Sequence, residues 1–144
     1  MNARTDTLSI HSEVHPRKAL NIGLWIAQVL LAVAFGMAGL MKLTTPIEVL
    51  AQNMNWVADQ PWLVRFIGGS EVAGALGMLL PALTRILPRL TALAGLGLVV
   101  VMVLAAGFHA TRGELGAIPV TLILGSLAAF VAWGRFRAAP IPSR

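Results

Sequence analysis

Four long apolar runs separated by short polar segments dominate the hydropathy pattern of this chain. They cover residues 19–41, 62–80, 90–108 and 117–133. A membrane-spanning helix needs about 17–25 predominantly apolar residues, so each run is long enough to cross a bilayer. The pattern therefore predicts an all-α membrane protein with four transmembrane helices.

The polar segment between the first two runs keeps a helical periodicity. Its apolar residues recur three or four positions apart, at Ile47, Leu50, Met54 and Val57. This spacing places them on one face of a helix and predicts a short amphipathic helix at the membrane surface. An ordinary polar loop is the alternative interpretation of the same segment.

Small residues spaced four apart mark three of the apolar runs. Such stripes let helix backbones approach closely in lipid, where apolar burial does not drive association. They predict that the spans pack as a four-helix bundle. The stripes are Ala32 and Gly36; Gly69, Ala73 and Gly77; and Thr121, Gly125 and Ala129.

Composition agrees with the membrane class. The 144 residues are 57% hydrophobic and only 12% charged, whereas a soluble domain is about 25% charged. The sequence has no cysteine, which excludes disulfide, thiolate and iron–sulfur chemistry by this chain. The net charge of +5 is explained by topology signals beside the spans, so we expect no nucleic-acid partner.

The distribution of Lys and Arg predicts the orientation of the spans. Eight of these residues lie in the two tails and the middle connection, and three lie on the other side. Because positive residues favour the cytoplasmic side, both termini are expected in the cytoplasm, with the protein in the inner or plasma membrane. Residues 1–18 are expected to be a disordered tail, residues 19–137 the membrane domain, and residues 138–144 a second tail. The first run is too long for a cleaved signal peptide.

Glu71 lies near the centre of the second run, where an ionisable side chain is costly. Insertion scales assign about 2.5–3.5 kcal/mol to such a residue, and it usually faces a bundle interior or a watery cavity. Depth along the helices places Gln28 and Ser126 in the same layer as Glu71. Two interpretations stay open: a role in ligand or proton handling, or a structural hydrogen bond to Gln28 or Ser126.

The remaining polar residues within or bordering the outer half of the spans predict a funnel that narrows towards Glu71. Arg65 and Thr121 lie in its outer half, with Lys42 and His109 at the rim. His109 is either an ordinary interfacial residue or a ligand-binding group, since an imidazole can bond a quinone carbonyl. Arg65 can pair with Glu71 only if the helix breaks at Gly68-Gly69, as in discontinuous transporter helices; close packing is the other explanation for these glycines.

Several ordered motifs resemble those of a known family. They are FGMAGLMKL (35–43), FIGGSEVAGALGMLLP (66–81), GFH (107–109) and FVAWGRFR (130–137). Because of these motifs, the chain resembles the DoxX-like family of small four-span bacterial membrane proteins. The resemblance covers roughly Leu20 to Arg137. The resemblance implies a four-helix membrane bundle and matches Lys42, Glu71 and His109 to polar positions of the family pattern. The family is named for a subunit associated with thiosulfate oxidation coupled to quinone.

Three functions are consistent with these features. The first is an accessory subunit of a membrane redox system, with no cofactor of its own and with quinone as the candidate ligand. The second is a small proton-coupled transporter or permeation module that uses Glu71. The third is a non-catalytic scaffold or assembly factor, in which the small-residue faces bind other membrane helices; a scaffold or accessory subunit ranks first. An autonomous enzyme ranks last, because no nucleophile triad, phosphate loop or metal-ligand cluster is recognisable. The bilayer, other membrane proteins or further copies of the chain are the expected partners.

Overall fold

Long helices make up almost the whole of the computed structural model, which describes residues 3–144, with side chains from Lys18 onwards. The expected disordered tail of residues 1–18 lies almost wholly outside the residues described with side chains and stays a prediction. The helices are α1 (Ala3–Thr44), α2 (Ile47–Asn53), α3 (Pro61–Thr84), α4 (Arg89–Thr111) and α5 (Ile118–Trp133). Short 3₁₀ turns precede α3 and α5, and a π-helical turn, Gly134–Ala138, extends α5.

The four predicted spans are confirmed as helices long and apolar enough to cross a membrane. They cover Lys18–Thr44, Pro61–Thr84, Arg89–Thr111 and Leu115–Ala138. Each is longer than the apolar run that predicted it, because the helical backbone continues into flanking polar residues. The second apolar run ends at residue 80, but α3 continues through Pro81 to Thr84 and ends at Arg85, whose left-handed backbone (φ 59°) interrupts the helix.

The four spans form a ring in which each packs against its neighbours in the order α1, α3, α4, α5. Apolar side chains from all four helices meet in one buried core, which includes Leu31, Met78, Leu98 and Val131. The opposite faces carry apolar side chains that are more than half exposed, such as Val103 at 65%. Helices that are apolar on both their buried and their exposed faces are typical of a bundle surrounded by lipid. The expected four-helix membrane bundle is confirmed.

The segment between α1 and α3 is helical, as its periodicity predicted. Leu50 and Val57 are buried, and with Trp56 and Val64 they form a second core that also contacts Phe108. The Trp56 and Phe108 rings meet edge to face with centroids 5.2 Å apart. The apolar face of α2 therefore packs onto the end of the bundle. This end is called the α2 side below, and the opposite end the terminal side.

A pair of glycines sets the distance between α1 and α3. A Cβ atom on Gly39 would lie 2.7 Å from the carbonyl oxygen of Gly68, and one on Gly68 would lie 2.9 Å from the carbonyl oxygen of Gly39. Real Cβ atoms do not approach a backbone oxygen this closely, so only glycine fits at either position. Gly69, next to Gly68, has no atom within 4 Å of a Cβ.

A comparison of Gly68→Ala with Gly69→Ala therefore separates the effect of close packing on stability from the effect of helix propensity. Gly68→Ala is expected to destabilise the bundle by about 1–3 kcal/mol, because backbone must move to admit the methyl group. Gly69→Ala is expected to be neutral or slightly stabilising, since it removes a helical glycine without a clash. Thermal unfolding of the purified proteins in detergent measures both; equal effects of the two substitutions would contradict the contact.

Candidate functional site

Glu71 is buried in α3, where it pairs with a lysine from α1. Its side chain is 5% exposed, and both of its carboxylate oxygens accept hydrogen bonds from the Lys42 ammonium, at 2.8 and 2.7 Å. The side chain of Lys42 is only 15% exposed. The expectation that Lys42 lies at the rim of a funnel is wrong, because its amine reaches inwards to the carboxylate.

The close contact of α1 and α3 explains this pairing. Gly39 lies one turn before Lys42, and Gly68 lies one turn before Glu71. Because the helices cross at these glycines, the Glu71 Cβ lies against Gly39 and the Lys42 Cβ lies against Gly68. Side chains on a helix tilt towards its N-terminus, so Lys42 points from the end of α1 back towards the bundle centre.

Arg65 binds the end of α1 instead of Glu71. Its guanidinium donates hydrogen bonds to the carbonyl oxygens of Lys42 and Thr45, the latter at 2.8 Å. The last carbonyls of a helix have no partners within it and carry its negative dipole end, so a cation here caps the helix. The role of Arg65 is thus to hold the C-terminal turn of α1 against α3.

The predicted partners of Glu71 lie elsewhere. Gln28 is fully buried, but its amide donates to the Met78 carbonyl oxygen at 2.9 Å and accepts from Arg135 at 2.6 Å. Ser126 lies on an exposed face of α5. The single layer of Gln28, Glu71 and Ser126 is therefore wrong, since equal depth in the membrane does not place side chains on facing sides of their helices.

The helix does not break at Gly68-Gly69. α3 is continuous from Pro61 to Thr84, and Gly68 is used for the contact with Gly39. Of the two explanations for these glycines, close packing is the one that the structure supports. The discontinuous helix that favoured a transporter is absent from α3.

A cavity of about 430 Å³ lies in the α2 half of the bundle, beside the ion pair. Lys42, Glu71, His109 and Thr121 all line it, whereas Arg65 does not. The predicted gathering of polar groups is thus partly correct. The rest of the wall is mainly aromatic and aliphatic, so the space is an apolar chamber with a few polar groups instead of a watery funnel.

This chamber reaches the lipid-facing surface between α3 and α4. Two of its lining residues, Phe66 on α3 and Leu104 on α4, are each 67% exposed. Nearer the terminal side the same helices are in tight contact, with Leu98 against Gly74. At the α2 side, Trp56 and Phe108 both line the chamber, and their rings are in edge-to-face contact. The exposed lining residues Phe66 and Leu104 therefore put one side of the chamber against lipid.

His109 belongs to a polar cluster at the rim. Its Nδ1 atom lies 2.7 Å from Oε2 of Glu114, and Arg112 donates to the other carboxylate oxygen at 2.9 Å. These hydrogen bonds, from Arg112 first and then from His109, hold the pKa of Glu114 below its usual range. The cluster is therefore intact at neutral pH and is lost only as the pH falls below the ordinary carboxyl range. Because Glu114 occupies Nδ1, Nε2 is the nitrogen of His109 left for a ligand.

A second polar cluster, on the terminal side, was not predicted. Arg135 is 4% exposed and donates to Gln28 and to Oδ1 of Asn21, the latter at 2.6 Å. Its charge is typical of a topology signal, because the apolar run ends at Trp133. Arg135 nevertheless continues the inner face of α5, since it lies seven and four positions after the buried residues Ala128 and Val131. This spacing was one available signal, and Gln28, an amide in a span that needs buried partners, was the other.

These features define the class of the protein: a four-span helical membrane protein with an ion pair beside a lipid-accessible chamber. The sequence model of the DoxX-like family matches residues 26–131, which includes Gln28, Lys42, Glu71 and His109. The chain belongs to the DoxX-like family. No curated protein and no solved structure matches it.

A double-mutant cycle tests the ion pair. Lys42→Met and Glu71→Gln each leave one polar group of the pair unmatched, and each is expected to lower the free energy of unfolding by about 3 kcal/mol. The double variant removes both charges and is expected to regain most of that loss. Thermal unfolding in detergent provides the measurement.

The exposed ion pair at the rim supplies the control. Arg112→Gln breaks the Arg112–Glu114 contact and is expected to cost less than about 1 kcal/mol, as solvent-exposed pairs do. If the double variant of Lys42 and Glu71 costs the sum of the two single substitutions, the side chains are not coupled and the pairing is wrong.

Proposed function

We propose that this protein is a quinone-binding accessory or scaffold subunit of a membrane redox system. The observation that carries the proposal is the chamber between α3 and α4, which is apolar, opens to lipid and has charged groups on one wall. Its volume of about 430 Å³ lies within the roughly 300–1,000 Å³ typical of small-ligand pockets. A membrane-soluble ring with polar oxygens at its edge matches this combination of surfaces.

The polar groups of the chamber have separate roles in the proposal. The Lys42 ammonium has three N–H groups, and two of its contacts go to the Glu71 carboxylate. A carbonyl oxygen in the chamber would accept the remaining one. Nε2 of His109 accepts a hydrogen bond from a quinol hydroxyl when the ring is neutral, and donates one to a quinone carbonyl when the ring is charged.

The electron chemistry is assigned to a partner protein. The sequence has no cysteine, and residues 18–144 contain no group of three or more His, Cys, Asp or Glu that can hold a metal ion. The proposal therefore gives this chain the tasks of holding the quinone and contacting the subunit that reduces or oxidises it. The exposed apolar faces of the spans are available for such contacts as well as for lipid.

The proposal places the protein in the cell membrane with both termini in the cytoplasm. It rests on the excess of Lys and Arg on the terminal side, which favours the cytoplasm. The chamber would then lie in the outer half of the bilayer. A quinone would enter it from that leaflet.

Quenching of tryptophan fluorescence tests quinone binding directly. A short-chain ubiquinone added to the purified chain in detergent is expected to quench fluorescence saturably, because Trp56 lines the chamber. Ala105→Phe fills the chamber and is expected to weaken binding by about tenfold or more, a loss of roughly 1.4 kcal/mol. Lys42→Met is expected to weaken it as well.

Two variants serve as controls for this measurement. Val103→Phe adds bulk to the lipid-facing side of the same helix, where Val103 is 65% exposed, and is expected to leave binding unchanged. Trp56→Phe is expected to remove most of the saturable signal. Quenching that never saturates, or that Ala105→Phe leaves intact, would refute the binding site. Quinone-independent solute uptake that is abolished by Glu71→Gln would instead favour the transporter.

The absence of cysteine makes the orientation directly testable. Single-cysteine variants Gln52→Cys and Ser143→Cys place a thiol on the α2 side and on the terminal side. In intact cells stripped of any outer membrane, an impermeant maleimide is expected to label Gln52→Cys at once and Ser143→Cys only after permeabilisation. The reverse pattern would overturn the assigned orientation.

A further inference from the structure

The end of α4 places a carboxylate against the ring of His109. The backbone N–H of Glu114 donates to the His109 carbonyl oxygen at 2.9 Å, and that of Gly113 donates to the Ala110 carbonyl oxygen at 3.2 Å. Gly113 has a positive φ of 71°. Two such bonds around a left-handed glycine are a common way for a helix to end. They bring residue 114 back beside residue 109, and the two side chains meet there.

The carboxylate fixes which nitrogen of His109 carries a hydrogen. Nδ1 lies 2.7 Å from Oε2 of Glu114, and Arg112 donates to Oε1. These hydrogen bonds keep the pKa of Glu114 low, so its carboxylate is ionised at neutral pH. An ionised carboxylate only accepts hydrogen bonds, so Nδ1 is the protonated nitrogen. In a neutral imidazole the other nitrogen, Nε2, is then an acceptor.

The acceptor nitrogen belongs to a residue of the chamber wall. His109 lines the chamber, whereas Glu114 and Arg112 do not. The hydrogen bond from Nδ1 is the one that the His109 side chain makes within residues 18–144. The Lys42 ammonium lines the same chamber and is a donor only. The wall therefore offers a ligand two different polar groups, a donor at Lys42 and an acceptor at His109.

The two redox forms of a quinone differ in what they offer to this acceptor. The ring oxygens of a quinone are carbonyls, which only accept hydrogen bonds, whereas those of a quinol are hydroxyls, which also donate. A carbonyl placed at Nε2 would set two lone pairs against each other, and a hydroxyl would donate to it. Lys42 does not distinguish the two forms, because carbonyl and hydroxyl oxygens both accept. Discrimination between them therefore falls to His109.

We infer that the chamber binds the reduced form of its ligand, a quinol, more tightly than the quinone, and that Glu114 is the positioning residue that sets this preference. Glu114 acts through His109, because it lies outside the chamber and fixes the hydrogen on Nδ1. The inference rests on the proposed quinone-binding function and adds to it the redox state of the ligand. A partner protein that oxidises quinol is the matching partner for such a site.

Paired binding measurements test the preference on the full chain in detergent. A short-chain ubiquinone and its quinol are titrated by calorimetry without oxygen at about pH 8.5, above the ordinary imidazole pKa of about 6.5. The quinol is expected to bind about fivefold or more tightly, as for one net hydrogen bond. Glu114→Gln is expected to remove most of this difference, because an amide both donates and accepts and so fixes neither tautomer.

Glu48→Gln is the matched control. It removes an exposed carboxylate from α2, on the same side of the bundle, and is expected to keep the preference for quinol. Equal loss of the preference in Glu114→Gln and Glu48→Gln would overturn the inference, because general negative charge would then explain it.

Nitrogen-15 NMR measures the tautomer itself. The sequence has three histidines, so His11→Gln combined with His15→Gln leaves His109 as the one labelled imidazole. Protonated and unprotonated ring nitrogens differ widely in chemical shift. At the same pH, Nδ1 is expected to be protonated and Nε2 unprotonated, and Glu114→Gln is expected to give a mixture of both tautomers.

The outcomes separate this inference from the function on which it rests. Equal binding of the two redox forms, tighter binding of the quinone, or a ring protonated mainly on Nε2 would overturn the inference while leaving the quinone site in place. Binding of neither form would refute the quinone proposal, and the inference with it.

Discussion

The contact between Gly39 and Gly68 determines much of the geometry on the α2 side of this bundle. Two backbones can approach within carbonyl contact distance only where neither residue has a Cβ. Because the helices run in opposite directions, Gly39 of α1 packs beside Glu71 of α3, and Gly68 of α3 packs beside Lys42 of α1. The contact thereby brings Lys42 and Glu71 together inside the membrane, where either charge alone would be costly. Arg65 then holds the end of α1 in place through two carbonyl oxygens.

The same arrangement leaves space on the far side of the ion pair. α3 and α4 pack tightly near the terminal side, where Leu98 fills the surface above Gly74, but a chamber lies between them on the α2 side. Trp56 and Phe108, whose rings are in contact, line it at the α2 end. The polar groups of the bundle are therefore divided between two places: a charge-balanced pair beside an apolar chamber, and Arg135 with its partners Gln28 and Asn21 on the terminal side. The residues that the DoxX-like family model matches, 26–131, include Lys42 and Glu71 but not Arg135.

Hydropathy was sufficient to predict the spans, because the cost of placing polar backbone and side chains in lipid leaves few alternatives to apolar helices. It also identified Glu71 as a buried residue, since an acid in a span must face the interior. The partner of Glu71 was not predictable from depth alone. Lys42 lies near the end of its helix, but its long side chain points back by about a turn, and Gln28 at the expected depth faces the opposite end of the bundle. The rotation of each helix about its own axis decides where the side chains of Lys42 and Gln28 lie. Sequence periodicity resolves this rotation poorly when every face of a helix is apolar.

Arg135 illustrates a different limit. Its position after the last apolar run is typical of a topology signal, although it lies seven and four positions after the buried residues Ala128 and Val131 and so continues the inner face of α5. A charged residue beyond the last apolar run has two explanations, a topology signal or a buried side chain, and the apolar pattern alone does not choose between them. A buried amide such as Gln28 does indicate that a polar partner exists.

The most direct test of the central claim is a distance between Lys42 and Glu71 in a bilayer. The sequence has only two lysines, Lys18 and Lys42, and four glutamates, so Lys18→Arg leaves a single lysine amine for nitrogen-15 labelling against carbon-13-labelled glutamate carboxylates. Solid-state NMR dipolar recoupling on this protein is expected to give a coupling between Lys42 Nζ and the Glu71 carboxylate carbon, as required by the hydrogen bonds from Nζ to both carboxylate oxygens at 2.8 and 2.7 Å, and Glu71→Gln is expected to abolish it. A lysine amine with no coupled carboxylate, or one whose coupling survives Glu71→Gln, would contradict the account.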